Sequence, residues 1–572
     1  MALTITPYLG YHLLREKDKQ EDKHAHNLEI SWIYKLYKKT EQPLLNSRTR
    51  RWVMLGITVV LLIGSMVMFF TKTVAVKMLP FDNKNEFQVV IDMPEGTTLE
   101  KTTAVAGEIA TYIATQPMVK DYQLYAGTAA PISFNGLVRH YDIRRGDNVA
   151  DIQVNLTDKK ERSEQSHMIV KNMREAVQSI AKKYHANAKL VEIPPGPPVL
   201  STLVAEVYGP DYGRQIQIGK QLKQLFAGIK DVVDVDWYTE DDQWQYHFEV
   251  DRDKAMRNGI TPAQVVANMN AALSGQVAGT LYSPESFSPV NIRLQLSDAD
   301  KSGIEALRSI KVTGQQGNVL PVGDLVQITK TVKDKSIYRK NQKRVVYVTA
   351  DMAGELESPF YAISKMSDSI QHIVVPAGYS IKEEYTHAPD NEDDYTVKWD
   401  GEWQITYEVF RDLGIAFAAV IVIIYMLIVG WFQNFITPLI MLAAIPLSLI
   451  GIVLGHWVLG AYFTATSMIG FIALGGVMVR NSVLLIDFID IRLKDGVPLK
   501  QAIIEAGAVR TTPILLTAGA VVLGAVIILF DPIFQGLAIS LIGGTLTSTF
   551  LTLLVVPLMY FRLLRKKHST GK

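Results

Sequence analysis

From Leu413 to Val479 the chain carries no Asp, Glu, Lys or Arg, and from Thr511 to Tyr560 its single charged side chain is Asp531. About 20 apolar residues suffice to cross a bilayer, so runs of this length exceed what a soluble core can use and put the chain in a membrane. The charge is concentrated elsewhere. Over 572 residues, 58 Lys and Arg stand against 57 Asp and Glu, a formal net charge of +1. That balance gives no reason to expect nucleic acid as a partner. With no cysteine there is no disulfide framework and no thiolate metal site, and cysteine usage is silent on the redox compartment.

Dividing the apolar runs at their turn and charge signals gives six transmembrane helices, at about 52–71, 412–430, 437–459, 464–489, 511–530 and 535–560. Arg48, Arg50 and Arg51 precede the first; Arg492, Lys494, Lys500 and Arg510 lie between the fourth and fifth; RLLRKK follows the sixth. The positive-inside rule makes all three cytoplasmic, which leaves both termini inside and residues 72–411 outside. The opening MALTITPYLGYHLL lacks a basic leader and a small-residue cleavage site, so it reads as the end of a membrane helix and not as a signal peptide. Within the cytoplasmic segment 1–51, LEISWIYKLYKK at 28–39 puts Ile30, Ile33, Tyr34 and Tyr37 on one helical face, the pattern of a helix lying in the interface. A solvated charged linker is the alternative. Residues 561–572 form a basic cytoplasmic tail.

The segment 72–411 alternates strand and helix patterns. EFQVVIDM, a Thr-rich helix and a strand near Asp121–Tyr125 make one βαβ unit; VADIQVNL, a helix over Ser163–Tyr184 and KLVEI make a second. After PPGPP at 194–198, TLVAEVYG, a helix through Phe226 and VVDVDWY repeat the order, and a helix and strand around Pro359–His372 and Tyr379–Tyr385 complete it. Duplicated ferredoxin-like α+β subdomains are the economical assembly. An insertion at about 243–335, with a short helix at Pro262–Leu273, reads as a place where a partner docks.

These motifs resemble, nearly end to end, the second half of a resistance-nodulation-division (RND) efflux permease of the hydrophobe/amphiphile exporter type. ALTITPYLG is similar to the end of the family's sixth helix, KMLPFDNKNEFQVVIDMPEGTTLEKT to the start of its second outer loop, and VDRDKAMRNGITPAQVV to its outer docking subdomain. GGVMVRNSVLLIDF resembles its tenth helix and AVRTTPILLTAG the start of its eleventh. The resemblance implies a proton-driven exporter of drugs or other amphiphilic compounds in the bacterial inner membrane. It also implies a homotrimer, a periplasmic adaptor and an outer-membrane channel as partners, and no cofactor. The family's first half, with its pair of proton-carrying membrane aspartates, has no counterpart in this sequence. The expectation is a fragment, a truncated reading frame, or a split pump whose N-terminal half is a separate chain. Alternatives are a metal-ion or lipid exporting branch, or an accessory membrane subunit. No nucleophile motif, phosphate loop or carboxylate pair outside the membrane supports an enzyme.

An ionisable side chain deep in a span costs about 2.5–3.5 kcal/mol on insertion scales and marks function by default. Arg480 lies some 16 residues into its helix, next to Asn481, with Asp487 seven positions on and nearly on the same face. Its guanidinium can hold a carboxylate charged but cannot itself deprotonate. Snorkelling, or an ion pair with Asp487 that only anchors the helix, is the plainer reading. Arg510 and Thr517 match the positions that complete the family's relay; the plainer readings are a positive-inside anchor and a hydroxyl bonded to its own helix. Asp487, near the inner interface, reads better as a cap or salt-bridge partner than as a proton site. Gly475, Gly476, Gly543 and Gly544 permit close helix approach, and Pro438 and Pro446 kink the third span. The methionines Met93, Met118, Met168, Met173, Met256, Met269 and Met352 raise the metal-exporting branch but read as amphipathic core positions; His24 and His26 are too weak a pair for zinc.

Overall fold

A computed structural model of the chain describes residues 4–13, 31–354 and 356–569. His24, His26 and Ile30 therefore lie outside the described residues. The chain opens on α1 (Ile5–Leu13), and then α2 (Trp32–Asn46) runs into the first long apolar helix, α3 (Arg48–Phe70). Ser47 separates the two, its hydroxyl accepting from the Arg50 N–H as the cap of α3. Helix α2 extends beyond the expected end at residue 39. Its buried residues are Tyr34, Tyr37, Glu41 and Leu45, a face spaced three and four apart. It is seated on the bundle: Tyr37 donates to the Leu553 carbonyl at 2.7 Å, and Gly507 is glycine because a side chain there would overlap the Tyr37 ring.

The α+β region holds two sheets. The first contains β1 (Glu86–Asp92), β2 (Val119–Thr128), β3 (Arg145–Leu156) and β4 (Asn187–Val191) in the order β2–β3–β1–β4, antiparallel throughout. The two βαβ units read from the sequence thus interleave in one sheet, with Val89 of the central strand opposite both Ile152 and Leu190. Helices α4 (Leu99–Ala114) and α5 (Ser166–Lys183) supply Ile109, Ile113, Val170 and Val177 to a core with Phe87, Val89 and Ile91.

The second sheet contains β5 (Leu203–Tyr208), β6 (Val232–Trp237), β11 (Val346–Met352), β12 (Lys382–Glu384) and β13 (Thr396–Gly401), in the order β12–β13–β5–β11–β6. Strand β12 pairs parallel to β13 and the rest are antiparallel, so this sheet has one strand more than the first. Helices α6 (Tyr212–Ala227) and α8 (Pro359–Ile370) cover it, and Phe226 stacks on the buried Trp399 at 6.0 Å. Buried cations join the two sheets: Arg174 meets Asp234, Lys189 meets Asp236, and Arg139 meets Asp351 at 2.6 Å.

A separate compact unit is formed by residues 94–96 and 239–337. In it β7 (Trp244–Val250) pairs antiparallel with β10 (Val326–Val332), and β8 (Gln276–Leu281) with β9 (Val290–Leu294). Its helix α7 (Pro262–Leu273) starts at a capping box, Thr261 and Gln264 satisfying each other's backbone N–H. A small core of Ala255, Ile260, Val265, Val312, Val322 and Leu325 fills it.

Five more long apolar helices complete the chain: α9 (Glu402–Phe432), α10 (Ile436–Val458), α11 (Ala465–Lys494), α12 (Leu499–Ile528) and α13 (Gln535–Ser569). With α3 they make six helices long and apolar enough to span. In α10 regular helix is interrupted at Ala443, where Pro446 cannot supply the N–H that would bond back to Leu442. Packing divides the six unequally: the apolar windows of α10, α11 and α13 are 56–67% buried, those of α3, α9 and α12 only 11–17%. Gly451 of α10 and Gly543 of α13 lie backbone against backbone, with no room for a Cβ on either.

Candidate functional site

Helix α11 carries Arg480 and Asp487, and its outer structure fixes how they point. Thr464 caps it in a box with Ser467, and the segment before it is tied to the chain after α3. Phe463 N–H donates to the Ala75 carbonyl at 2.9 Å, Lys77 N–H to the Phe463 carbonyl at 3.1 Å, and Ala465 N–H to the Met78 carbonyl at 3.0 Å. With that end pinned, the helical repeat turns Asn481, Ser482, Leu485, Ile486 and Ile489 inward and leaves Arg480 exposed.

Arg480 makes no hydrogen bond or ion pair with any described residue. The expected pair with Asp487 is not formed, for a geometric reason: seven residues advance a helix by about 10.5 Å, so sharing a face does not bring the two within reach. Asp487 is half-buried instead in a cleft of about 870 Å³ lined also by Trp431, Phe432, Asp490 and Lys494. Asp490 is the acid that finds a partner there, accepting from the Tyr560 hydroxyl at 2.5 Å.

Arg510 of α12 sits over the Phe488 ring, 5.1 Å from its centroid, and its buried Nε has no hydrogen-bond partner among the described residues. The Thr517 hydroxyl donates to the Ile514 carbonyl of its own helix at 2.9 Å, as the plainer reading has it. Asn481 is buried and the Ser482 hydroxyl next to it has no partner among the described residues. The structure therefore brings Arg510 to the α11 surface one residue from Asp487, but assembles no closed relay among Arg480, Asn481, Arg510 and Thr517.

Three polar clusters were not anticipated. His456, fully buried in α10, bonds to the Ile452 carbonyl through Nδ1 and to the Ser467 hydroxyl through Nε2, each at 2.8 Å, which ties α10 to the cap of α11. The signal was there: a titratable ring in an otherwise uncharged run. The second cluster lies beside the pinned segment. Lys77, buried, reaches Glu357 at 3.0 Å, and His167 bridges Glu192 at 2.7 Å and Glu357 at 2.9 Å. Burial opposes charge on both partners, yet the hydrogen bonds to Glu192 and Glu357 push His167 up to about 9, and those from His167 and Lys77 hold Glu357 down at about 2. The third is Glu41 on α2. Of the methionines, Met93, Met173 and Met352 are buried in the two sheet cores, whereas Met168 and Met256 are exposed. Among the described residues no group of three or more His, Cys, Asp or Glu is placed to hold a metal.

Comparison with known proteins gives these positions a context. The chain is similar to the swarming motility protein SwrC of Bacillus subtilis, 24% identical over 98% of this chain and 50% of that protein. It is also similar to the cobalt-zinc-cadmium resistance protein CzcA of Cupriavidus metallidurans, 25% identical over 65% of this chain and 34% of that one. It thus spans half or less of the length of these relatives. The fold matches the crystal structure of a heavy metal efflux pump with a TM-score of 0.74, at 20% identity, over 93% of this chain and 51% of the pump. The pattern of the AcrB/AcrD/AcrF family matches residues 1–564. The chain belongs to that family, the RND efflux permeases.

Proposed function

We propose that this chain is the C-terminal half of a proton-coupled exporter that moves amphiphilic compounds out of the periplasm or inner membrane. In this reading the α+β region is periplasmic and its two sheets are ferredoxin-like porter subdomains. The unit of residues 239–337 meets an adaptor and an outer-membrane channel, and three copies assemble. Arg480 carries the proposal. A cation midway along an apolar helix, exposed and unpartnered among the described residues, is costly in lipid, and a carboxylate from elsewhere that meets it offsets that cost. A complementary half supplying acidic residues opposite Arg480 closes that circuit: each carboxylate is held ionised by the guanidinium, and its protonation releases the contact.

The names of the relatives favour a second cargo class, metal ions, since one is named for cobalt, zinc and cadmium resistance and the matched fold is a heavy metal pump. Against it, the methionines are dispersed between cores and surface. Co-expression with a complementary half, assayed for amphiphile and for cobalt, zinc and cadmium tolerance in parallel, separates the two. Protection against amphiphiles alone is the expected result; protection against metals alone replaces that cargo. No protection that depends on Arg480 overturns the coupling assignment.

A further inference from the structure

Glu41 is fully buried on the inner face of α2, and neither carboxylate oxygen has a hydrogen-bond partner among the described residues. It lies one turn beyond Tyr37, which is buried and anchored to the Leu553 carbonyl. Among the described charged groups on the helices packed against α2, Arg48, Arg50 and Arg565 are exposed and the others are engaged elsewhere. On α3, Arg51 donates to the Leu45 carbonyl at 2.7 Å; on α12, Lys500 donates to Asn46 Oδ1 at 2.9 Å and Glu505 accepts from Arg492 at 2.6 Å. Arg510 lies over Phe488, and on α13 Tyr560 bonds Asp490 and Arg562 covers Trp52. None of these forms an ion pair or hydrogen bond with Glu41.

An ionised carboxylate in such a place, without cation or donor, is several kcal/mol out of balance, whereas the protonated acid is merely a buried polar group. We propose that Glu41 is a proton-binding site, and that its proton decides whether α2 stays seated on the membrane bundle. Burial is the cause that pushes this carboxyl up to about 8. The seated state holds the proton more tightly than a solvated glutamate does. Seating is therefore strongest below the ordinary value of 4.5 and weakens as pH rises through about 8. That window includes neutral pH, so the helix senses proton availability on its own side of the membrane without help from Arg480.

The chain has no cysteine, which makes a thiol the natural reporter. Leu45→Cys puts one on the buried face of α2, and Leu36→Cys puts one on the exposed face of the same helix. Alkylation rates of both are measured on the full chain at about pH 6.5 and about pH 9, and their ratio removes the thiol's own ionisation, near pH 8.5. The Leu45→Cys to Leu36→Cys ratio is expected to rise about tenfold or more at the higher pH, and to stay at its low-pH value when Glu41→Gln is added. A flat ratio, or the same rise with Glu41→Gln, overturns the proposal. Should Leu45→Cys fail to insert, the infrared carbonyl band of a protonated carboxyl serves instead. The band should be present at about pH 6.5, absent at about pH 9 and absent in Glu41→Gln; no band attributable to Glu41 overturns the proposal.

Discussion

In the sheets of the α+β region the buried cations are matched where they stand. Arg144 reaches Asp92 and Asp151, Arg174 reaches Asp234, Lys189 reaches Asp236, and Lys398 lies 3.2 Å from Asp400. In the membrane bundle, among the described residues, the exposed Arg480 and the partly enclosed Arg510 meet no acid, and Ser482, Thr545 and Thr549 hold buried hydroxyls without a partner. Unpaired buried polar groups are costly wherever they occur, and more so away from water. The contrast is one of counter-charge: each of these cations in the sheets has an acid within reach, even though Arg139 and Arg174 also keep an Nε without a partner among the described residues, whereas no described acid reaches Arg480 or Arg510.

The contrast breaks outright if the two regions do not face different compartments. A cysteine replacing Asp241 is expected to react with an impermeant thiol reagent in intact, outer-membrane-permeabilised cells, and one replacing Lys494 to stay unlabelled; equal labelling removes the six-span topology. Next in size is the loss of Arg480→Ala. In a chain co-expressed with its complementary half, export should fall more than about tenfold at unchanged protein level, with Arg480→Lys retaining part of it as a point charge in place of a fork. Full export in Arg480→Ala shows that the leftover cation has no role in coupling.

Breaking a matched pair sharpens the other side. Arg139→Leu strands Asp351, which burial would push up but which Arg139 and the Ser201 and Thr202 donors hold well below the usual carboxylate range. A loss of about 3–5 kcal/mol is expected on thermal unfolding, and a loss under 1 kcal/mol would mean that the seam is slack. His167 gives a smaller, pH-dependent effect. Its raised value means that the stabilisation is fully present below about pH 6.5 and fades as pH rises through about 9. The unfolding temperature should fall over that range, and His167→Gln should flatten the decline. Smallest is Thr517→Val, expected to change stability by less than about 1 kcal/mol because its hydroxyl bonds only its own backbone; a large export defect would restore Thr517 to a relay.

What the sequence made legible was whatever a one-dimensional pattern carries. The absence of charge located all six apolar helices, and Arg480 stood out as a break in it. The ends were missed because a helix does not stop where lipid does: α9 begins at Glu402, not near 412, and α12 at Leu499, not 511, both continuing through polar residues that hydropathy excludes. Strands β11 and β13 went unread because each pairs with β5 across a long chain separation, and because Lys398 and Asp400 within β13 disguise it as loop. Glu41 and Glu357 were illegible for a deeper reason. Nothing local distinguishes a surface glutamate from one that packing will enclose; Glu357 is met by Lys77 and His167 from far along the chain, and Glu41 is enclosed by α12 and α13.

The backbone contact between Gly451 and Gly543 has a mechanical meaning. Where the two peptide backbones touch there is no slack to take up a change of spacing, although Thr547 and Ile539 of α13 pack against Gly451 and Gly455 beside that point. Helices α10 and α13, with α11 enclosed against them, then form the tightly packed centre of the bundle. A methyl group added at either glycine would collide with the facing backbone and pry that centre apart before it touched any charge.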